Sequence, residues 1–407
     1  MTDRAAELRN ELLDGLLARG AFRSDTVAAV MRRVPRHAFL ESFFRPSPEA
    51  EGTWREFSFD ADDADHLAIA YADDALVTRM TGDIATSSIS QPGLVGQMLE
   101  LLTFEPGMRV LEIGAGTGYN AALTAELVGP EGVVVTVDID EDVAEQAARL
   151  LAANGYRPDR VRVVTADGFE GAPDHAPFDR IVATVGCTDL SPKWIEQLAP
   201  GGAGRGGSAV ALIPLEHGGV HPMMAVTVDA AGRVQGRIVA RSGFIRIQGE
   251  LDQRGPWVGC RPPRLDRATR HPLPARLASL VEEGMRSADA WDFHYDLALH
   301  ERRVPWLLTL SGPGPGSGAT SAAVDPVAAE LVVTGEAGPL VERLLARYDD
   351  WRERGSPAAT DYESEFVPLD DIEPDRSPNR WTLDRIKYRQ IVRLVETPMR
   401  PLPPIPG

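Results

Sequence analysis

The run Val110-Leu111-Glu112-Ile113-Gly114-Ala115-Gly116-Thr117-Gly118-Tyr119-Asn120 constrains this chain more than any other. A short apolar strand meets three glycines at alternate positions. A helix-forming segment from Ala121 to Leu127 follows, and Gly129-Pro130 stops it. Glycines so placed let the backbone bend tightly and let a ligand approach with no Cβ in the way. The helix that follows presents unpaired N–H groups to polar ligand atoms.

A dinucleotide site asks for G-x-G-x-x-G, whose last glycine lets the helix pack while its N-terminus takes a pyrophosphate. Here the spacing is G-x-G-x-G, with Glu112 at the strand end. That suits S-adenosylmethionine, which has a sulfonium, a ribose and an adenine but no phosphate, and which leaves as S-adenosylhomocysteine. Glu112, Gly114, Gly116 and Gly118 are therefore candidate cofactor-binding residues. The next strand, Val133 to Val137, ends in Asp138. An acid about 20 residues past such glycines is where ribose hydroxyls are gripped. Alone, the glycine turn also fits an ordinary strand-to-helix corner; with Asp138 it favours a nucleotide-like ligand.

The 407 residues suffice for two domains or for one with a large extension, and 43% hydrophobic with 25% charged residues is a soluble globular composition. No apolar run approaches the ~20 residues of a membrane helix, and Met1-Thr2-Asp3-Arg4 opens no signal segment, so a cytoplasmic protein without a membrane partner is expected. Cys187 and Cys260 form no C-x-x-C pair, and the histidines show no ligand spacing, so no metal site is expected. The net charge of −18 argues against nucleic acid as partner, since such binding rests on neutralising phosphates. An anionic substrate must then be attracted by a local patch.

In chain order, residues 4 to 20 carry Leu8, Leu12, Leu13, Leu16 and Leu17 on one helical face, and a second helix runs through Val27, Val30 and Met31. Arg32, Arg33, Arg36 and His37 read as a solvated basic helix end. Residues 45 to 66 read as a polar loop or insertion, and Ala70 to Val77 as a strand with a turn. In Thr86-Ser87-Ser88-Ile89-Ser90-Gln91-Pro92, four hydroxyls stand in five positions just before a helix. One hydroxyl serves as a cap; four exceed that need. Beyond Asp138, strands and helices alternate through Val161–Val164, Ile181–Val185 and Ala209–Pro214, which predicts a parallel, doubly wound sheet. Asp167-Gly168 follows the third strand at the same carboxyl edge. A hairpin, Met223–Val228 with Arg237–Ala240, closes the sheet with antiparallel strands.

A boundary is expected near Arg254-Gly255-Pro256 and Arg261-Pro262-Pro263, dividing a domain of residues 1–250, with 1–90 on its substrate side, from an extension of residues 251–407. The extension reads as mostly helical, with helices at 273–286, 338–353 and Trp381 to Val395, and a flexible loop at Gly312–Gly318. The last of these helices is basic, fit to hold an acidic peptide or to dock on the chain's own acidic body.

From about Leu8 to Gly249 the chain resembles the protein-L-isoaspartate O-methyltransferases. The resemblance lies in Val34-Pro35-Arg36 with Phe39, Ala70-Tyr71 to Leu76, Ser88-Ile89-Ser90-Gln91-Pro92, Val110 to Tyr119, Asp167-Gly168 with Gly171, and Phe178-Asp179. It implies a class I methyltransferase fold, S-adenosylmethionine as donor and an aspartyl or isoaspartyl carboxylate of a peptide or protein as acceptor. It also implies an active-site serine at Ser90, a ribose-binding acid at Asp138 and an adenine-side acid at Asp167 with Gly168. The lead into Ser88 departs from the family's glycine-rich pattern, and residues beyond about 250 have no expected counterpart in the repair enzymes. Such an extension resembles the members found with lanthipeptide, graspetide and lasso-peptide biosynthesis, which methylate an aspartate of a cyclised precursor so that the ester closes to a succinimide. General isoaspartyl repair and a non-catalytic peptide-binding adaptor are the alternatives.

A carboxylate with a pKa of about 3.9 is already a nucleophile at neutral pH, so no general base is required. Thr86, Ser88 and Ser90 are the candidate catalytic residues, with hydroxyls that orient the acceptor and displace its water.

Overall fold

The computed structural model describes residues 2–47, 53–200, 208–252, 268–282, 287–301, 303–304, 307–313, 319–369 and 379–395. Two N-terminal helices, α1 (Thr2–Ala18) and α2 (Asp25–Arg33), form as the leucine and valine spacing predicts. Ser24 caps α2 by accepting from Val27 N–H, and the helix buries Val27, Ala28, Val30 and Met31.

An antiparallel sheet follows, built from β1 (Ser42–Pro46), β2 (Trp54–Ser58), β3 (Leu76–Thr81) and β4 (Ile84–Ile89) in the order β2-β1-β3-β4. The expected loop at 45–66 is thus largely structured, although residues 48–52 lie outside the described part. Its polar composition concealed one apolar face: Phe43 sits opposite Phe57, their rings stacked at 5.5 Å. Helix α3 (Ala64–Ala70) then leads through a turn into β3, so the segment 70–77 is a helix end and a strand start.

Helix α4 (Pro92–Leu102) leads into the large sheet. Its parallel half consists of β5 (Arg109–Ile113), β6 (Val133–Asp138), β7 (Val161–Thr165), β8 (Arg180–Ala183) and β9 (Val210–Pro214). Helices α5 (Tyr119–Val128), α6 (Glu141–Ala153) and α7 (Pro192–Gln197) connect them. The hairpin β10 (Met223–Val228) and β11 (Val234–Ala240) is antiparallel to β9, as the sequence indicates.

The extension contains β12 (Thr269–Pro272), α8 (Ala288–His300), β13 (Thr309–Pro313), β14 (Ala319–Asp325), β15 (Glu330–Thr334), α9 (Gly338–Glu353), β16 (Tyr362–Pro368), β17 (Arg380–Asp384) and β18 (Tyr388–Leu394). It therefore mixes helices and strands. The helix expected at 338–353 is present as α9. In 273–286 only a short 3-10 turn over Ala275–Leu280 forms, and 283–286 lie outside the described residues. Helix α8 has no counterpart in the sequence reading. The helix expected over Trp381 to Val395 is instead the pair β17–β18, bent at Arg385 to Lys387. Its apolar residues satisfy a helical spacing, but the open edge of β16 supplies a ladder of hydrogen bonds that favours extended backbone.

The ten strands of the large sheet run β17-β18-β16-β11-β10-β9-β8-β5-β6-β7. Because β16 pairs with β11, the sheet crosses the expected division at 250 without a break. One apolar core contains Leu111 and Ile213 of the parallel half together with Phe293, Trp351 and Tyr362 of the extension. The linker residues 254–263 and most of the 312–318 loop lie outside the described residues.

Candidate active site

The glycine turn follows β5 directly, and all three glycines have positive φ: 97° at Gly114, 53° at Gly116 and 81° at Gly118. All three also lack room for a side chain. A Cβ on Gly114 would come 2.9 Å from Val185 Cγ1, one on Gly116 would come 3.3 Å from the Ser88 carbonyl oxygen, and one on Gly118 would come 2.9 Å from Leu151 Cγ. The turn is therefore pressed between the end of β8 on one side and the end of β4 on the other. Gly114 N–H donates to Val137 O at 2.8 Å, which ties the turn to the end of β6.

Asp138 closes β6 beside this turn. Its carboxylate accepts from Gly116 N–H and Asp140 N–H, each at 3.2 Å. Burial raises its pKa, while those N–H donors work in the opposite direction. Glu112 lies deeper and is 1% exposed. Asn120 Nδ2 and Thr136 Oγ1 each donate to it at 2.7 Å. Desolvation dominates over both bonds and pushes its pKa up to about 7.

The hydroxyl segment divides between strand and turn. Thr86, Ser87 and Ser88 belong to β4, and Ser90 joins β4 to α4. Gln91 occupies the N-cap position of α4 and makes no side-chain cap bond. Asp73 supplies that cap from another segment, accepting from Gly93 N–H at 2.7 Å. The hydroxyls are thus not the caps of this helix. Thr86, Ser88 and Ser90 line the cleft beside the glycine turn, as does Ser87, whose hydroxyl accepts from Thr78 at 3.2 Å.

Arg36 holds this arrangement in place, although its sequence context reads as a solvated helix end. Its side chain is buried, and its guanidinium donates to the carbonyls of Ala70, Asp74 (2.9 Å), Ile89 (3.3 Å) and Ser90 (3.2 Å). Desolvation lowers its pKa to about 10. Arg32 and Arg33 do lie at the surface, paired with Asp14 and Glu126. The available signal was position: Arg36 stands between Val34 and Phe39, both buried.

A third wall, Ile245 to Gln248, carries no motif and was missed in the sequence. It pairs with Gly186 just past β8: Gly186 N–H donates to Ile245 O at 2.8 Å, and Ile247 N–H donates to Gly186 O at 2.9 Å. Asp167 is turned toward the continuation of this wall. It accepts from Phe169 N–H at 2.9 Å and Glu250 N–H at 2.8 Å, while Gly168 faces the cleft.

The walls line an open cleft at the carboxyl edge of the parallel strands. This is where open α/β sheets bind ligands. Two buried polar atoms at its lining, Thr86 Oγ1 and Asn120 Oδ1, have no hydrogen-bond partner among the described residues. A glycine cradle, an acid beside it and unpartnered polar groups fit S-adenosylmethionine.

The fold and this cleft define a class I S-adenosylmethionine-dependent methyltransferase. The model of the Protein-L-isoaspartate(D-aspartate) O-methyltransferase family matches residues 58–251. The chain is 34% identical to the protein-L-isoaspartate O-methyltransferase of Methanopyrus kandleri over 243 residues, 60% of this chain and 92% of that protein. It is 33% identical to the corresponding protein of Hyperthermus butylicus over 255 residues, 61% of this chain and 91% of that one. The chain belongs to the protein-L-isoaspartate O-methyltransferase family, which transfers methyl groups to carboxylates. A solved protein-L-isoaspartate O-methyltransferase shares the fold with a TM-score of 0.50 at 24% identity, covering 88% of this chain and 96% of that one. Its span reaches far beyond residue 251, so the expectation that the extension lacks a counterpart in this family is corrected.

Proposed function

We propose that this enzyme repairs proteins by methylating the free carboxylate of isoaspartyl residues. The observation that carries the reading is the placement of Thr86, Ser88 and Ser90 against the glycine turn, in a cleft whose described lining contains no histidine, cysteine or lysine. When bound, S-adenosylmethionine supplies an electrophilic methyl group. Asp138 would hold the ribose hydroxyls, and the glycines of the turn leave room for the cofactor beside it. The hydroxyls of Ser90, Ser88 and Thr86 donate to the acceptor carboxylate, align one oxygen and replace its water. Hydroxyl donors orient the anion while leaving it nucleophilic, and no proton has to be removed from it. In the product, attack of the next backbone nitrogen on the ester expels methanol and closes a succinimide, whose hydrolysis returns aspartyl and isoaspartyl forms.

The narrower reading, tailoring of an aspartate in a cyclised ribosomal peptide, leaned on an extension peculiar to tailoring enzymes. With a similar span in a solved isoaspartyl methyltransferase, repair has the stronger support. An adaptor without activity is disfavoured by the intact turn and Asp138.

Matched isoaspartyl, aspartyl and ring-constrained peptides incubated with S-adenosylmethionine and followed by mass spectrometry test the proposal. Methyl transfer to short isoaspartyl peptides of unrelated sequence is the expected result. Activity confined to a ring-bearing aspartyl peptide would overturn it in favour of tailoring, and a chain that fails to bind S-adenosylmethionine would revive the adaptor.

A further inference from the structure

Among the described residues that line the cleft, Arg246 is the one cationic side chain, in a chain whose net charge is −18. Its position follows from the sheet order. Asp138 ends β6 and Asp167 follows β7, both on one side of β5. Arg246 is bridged to Gly186 just past β8, on the other side of β5. From there the wall runs to Gly249 and Glu250, which contact Asp167. Arg246 thus belongs to the half of the cleft away from the ribose acid.

Its depth separates it from the reacting group. The Arg246 side chain is 46% exposed and pairs through Nε with Asp252 at 2.9 Å, itself 51% exposed. Ser87, by contrast, is 8% exposed, and its hydroxyl and the carbonyl of Ser88 face Gly116. A half-exposed ion pair is weak and easily exchanged for another carboxylate. A guanidinium also offers a planar fork of donors that suits a carboxylate.

We propose that Arg246 is a specificity-determining residue that binds a second carboxylate on the acceptor peptide, an aspartate or glutamate side chain flanking the residue to be methylated. The inference rests on the reading of the cleft as a carboxylate-acceptor site. It narrows the substrate class to acceptors in acidic surroundings, which the chain's overall negative charge would otherwise repel.

The test is fluorescence anisotropy of labelled hexapeptides, each with one isoaspartyl residue flanked by Glu, Gln or Lys, titrated with the full chain in the presence of S-adenosylhomocysteine. The wild type is expected to bind the Glu peptide about fivefold more tightly than the Gln peptide, the ratio a half-exposed ion pair supports. Arg246→Gln removes that ratio, Arg246→Lys keeps part of it, and Arg246→Glu reverses it in favour of the Lys peptide. Asp252→Asn, which removes a carboxylate paired with Arg246, raises it. Equal weakening of the Glu and Gln peptides by Arg246→Gln would overturn the proposal, as would a weakened affinity for S-adenosylhomocysteine itself, which would assign the arginine to the cofactor's own carboxylate. Binding is read apart from turnover. A wild type that prefers the Glu peptide but methylates none of the three would therefore sink the repair activity and leave the role of Arg246 standing.

Discussion

Arg36 donates through Nη2 to the carbonyl oxygen of Ser90 at 3.2 Å, across 54 residues of sequence. The same guanidinium holds the carbonyl of Ile89, so the end of β4 is fixed over the glycine turn from behind. Replacing Arg36 by Met leaves several buried carbonyls without donors. Each such group costs about 1–3 kcal/mol, so the variant is expected to lose about 3 kcal/mol or more of stability. Arg36→Lys supplies the charge but not the fork, and is expected to fold with reduced turnover. Urea denaturation and a methyl-transfer assay check both variants.

Ser90→Ala removes a proposed donor to the acceptor carboxylate and leaves the glycine turn alone. The expected loss in turnover is roughly 10-fold or more, since a hydrogen bond to a charged group contributes about 1.5–3 kcal/mol. The dissociation constant for S-adenosylhomocysteine stays at the wild-type value in calorimetry. Unchanged turnover would remove Ser90 from the site.

Asp138→Ala acts on the other partner. Its carboxylate accepts from Gly116 N–H and Asp140 N–H and faces the cleft. Affinity for the cofactor is expected to fall by roughly 10- to 100-fold, with a smaller effect on the apparent affinity for the acceptor peptide. A calorimetric titration that gives normal affinity would overturn the ribose role proposed for it.

Stability depends on pH through buried neutral histidines. His294 accepts from Leu308 N–H at Nδ1, and burial lowers its pKa from 6.5 to about 4. Burial lowers His221 to about 4 as well. A depressed histidine pKa means that the unfolded chain takes up the proton first as pH falls. The contribution is therefore complete above pH 6.5 and is lost progressively toward pH 4, by roughly 3 kcal/mol per histidine at the lower end. Urea denaturation at intervals from pH 7.5 to 4.5 is expected to show this decline, and His294→Gln to show a shallower one from a lower starting stability.

A chain truncated after residue 252 is expected to aggregate or to unfold without cooperativity. Removing β16 exposes the edge of β11, and removing α8 and α9 uncovers the core that Phe293 and Trp351 share with the parallel half. The buried Arg385 adds a polar tie, donating to the carbonyls of Thr188 (2.8 Å) and Glu216 (3.0 Å). Size-exclusion chromatography and circular dichroism of the truncated chain decide this. A monomer with a sharp unfolding transition would show that residues up to 252 fold alone.

The parts of the site that were legible in the sequence are those built by neighbours. Gly114, Gly116, Gly118 and Asp138 lie in one strand-turn-helix unit and the strand after it, where glycine and an acid have local geometric meaning. Thr86, Ser88 and Ser90 stood out because their density exceeds what a helix cap uses. Arg36 was opaque because its acceptors lie 34 to 54 residues away, and an arginine within a basic cluster at a helix end reads as solvated. The wall at Ile245 to Gln248 was opaque because its identity as a wall depends on Gly186, far back in the chain.

What the amino-acid order alone determined is the parallel sheet, its glycine corner and the chemistry that corner admits, because those follow from apolar periodicity and from the backbone freedom of a few residues. What only the tertiary structure decided is the extended conformation of residues 380–394, the single sheet that joins the extension to the body, and the burial of Arg36 beneath the hydroxyl-bearing strand. Each of these depends on a partner distant in sequence: the open edge of β16, the last strand of the hairpin, and carbonyls exposed at the ends of α3 and β4. Hydrogen-bond ladders and desolvation act between such partners whatever their separation along the chain, so local spacing carries no record of them.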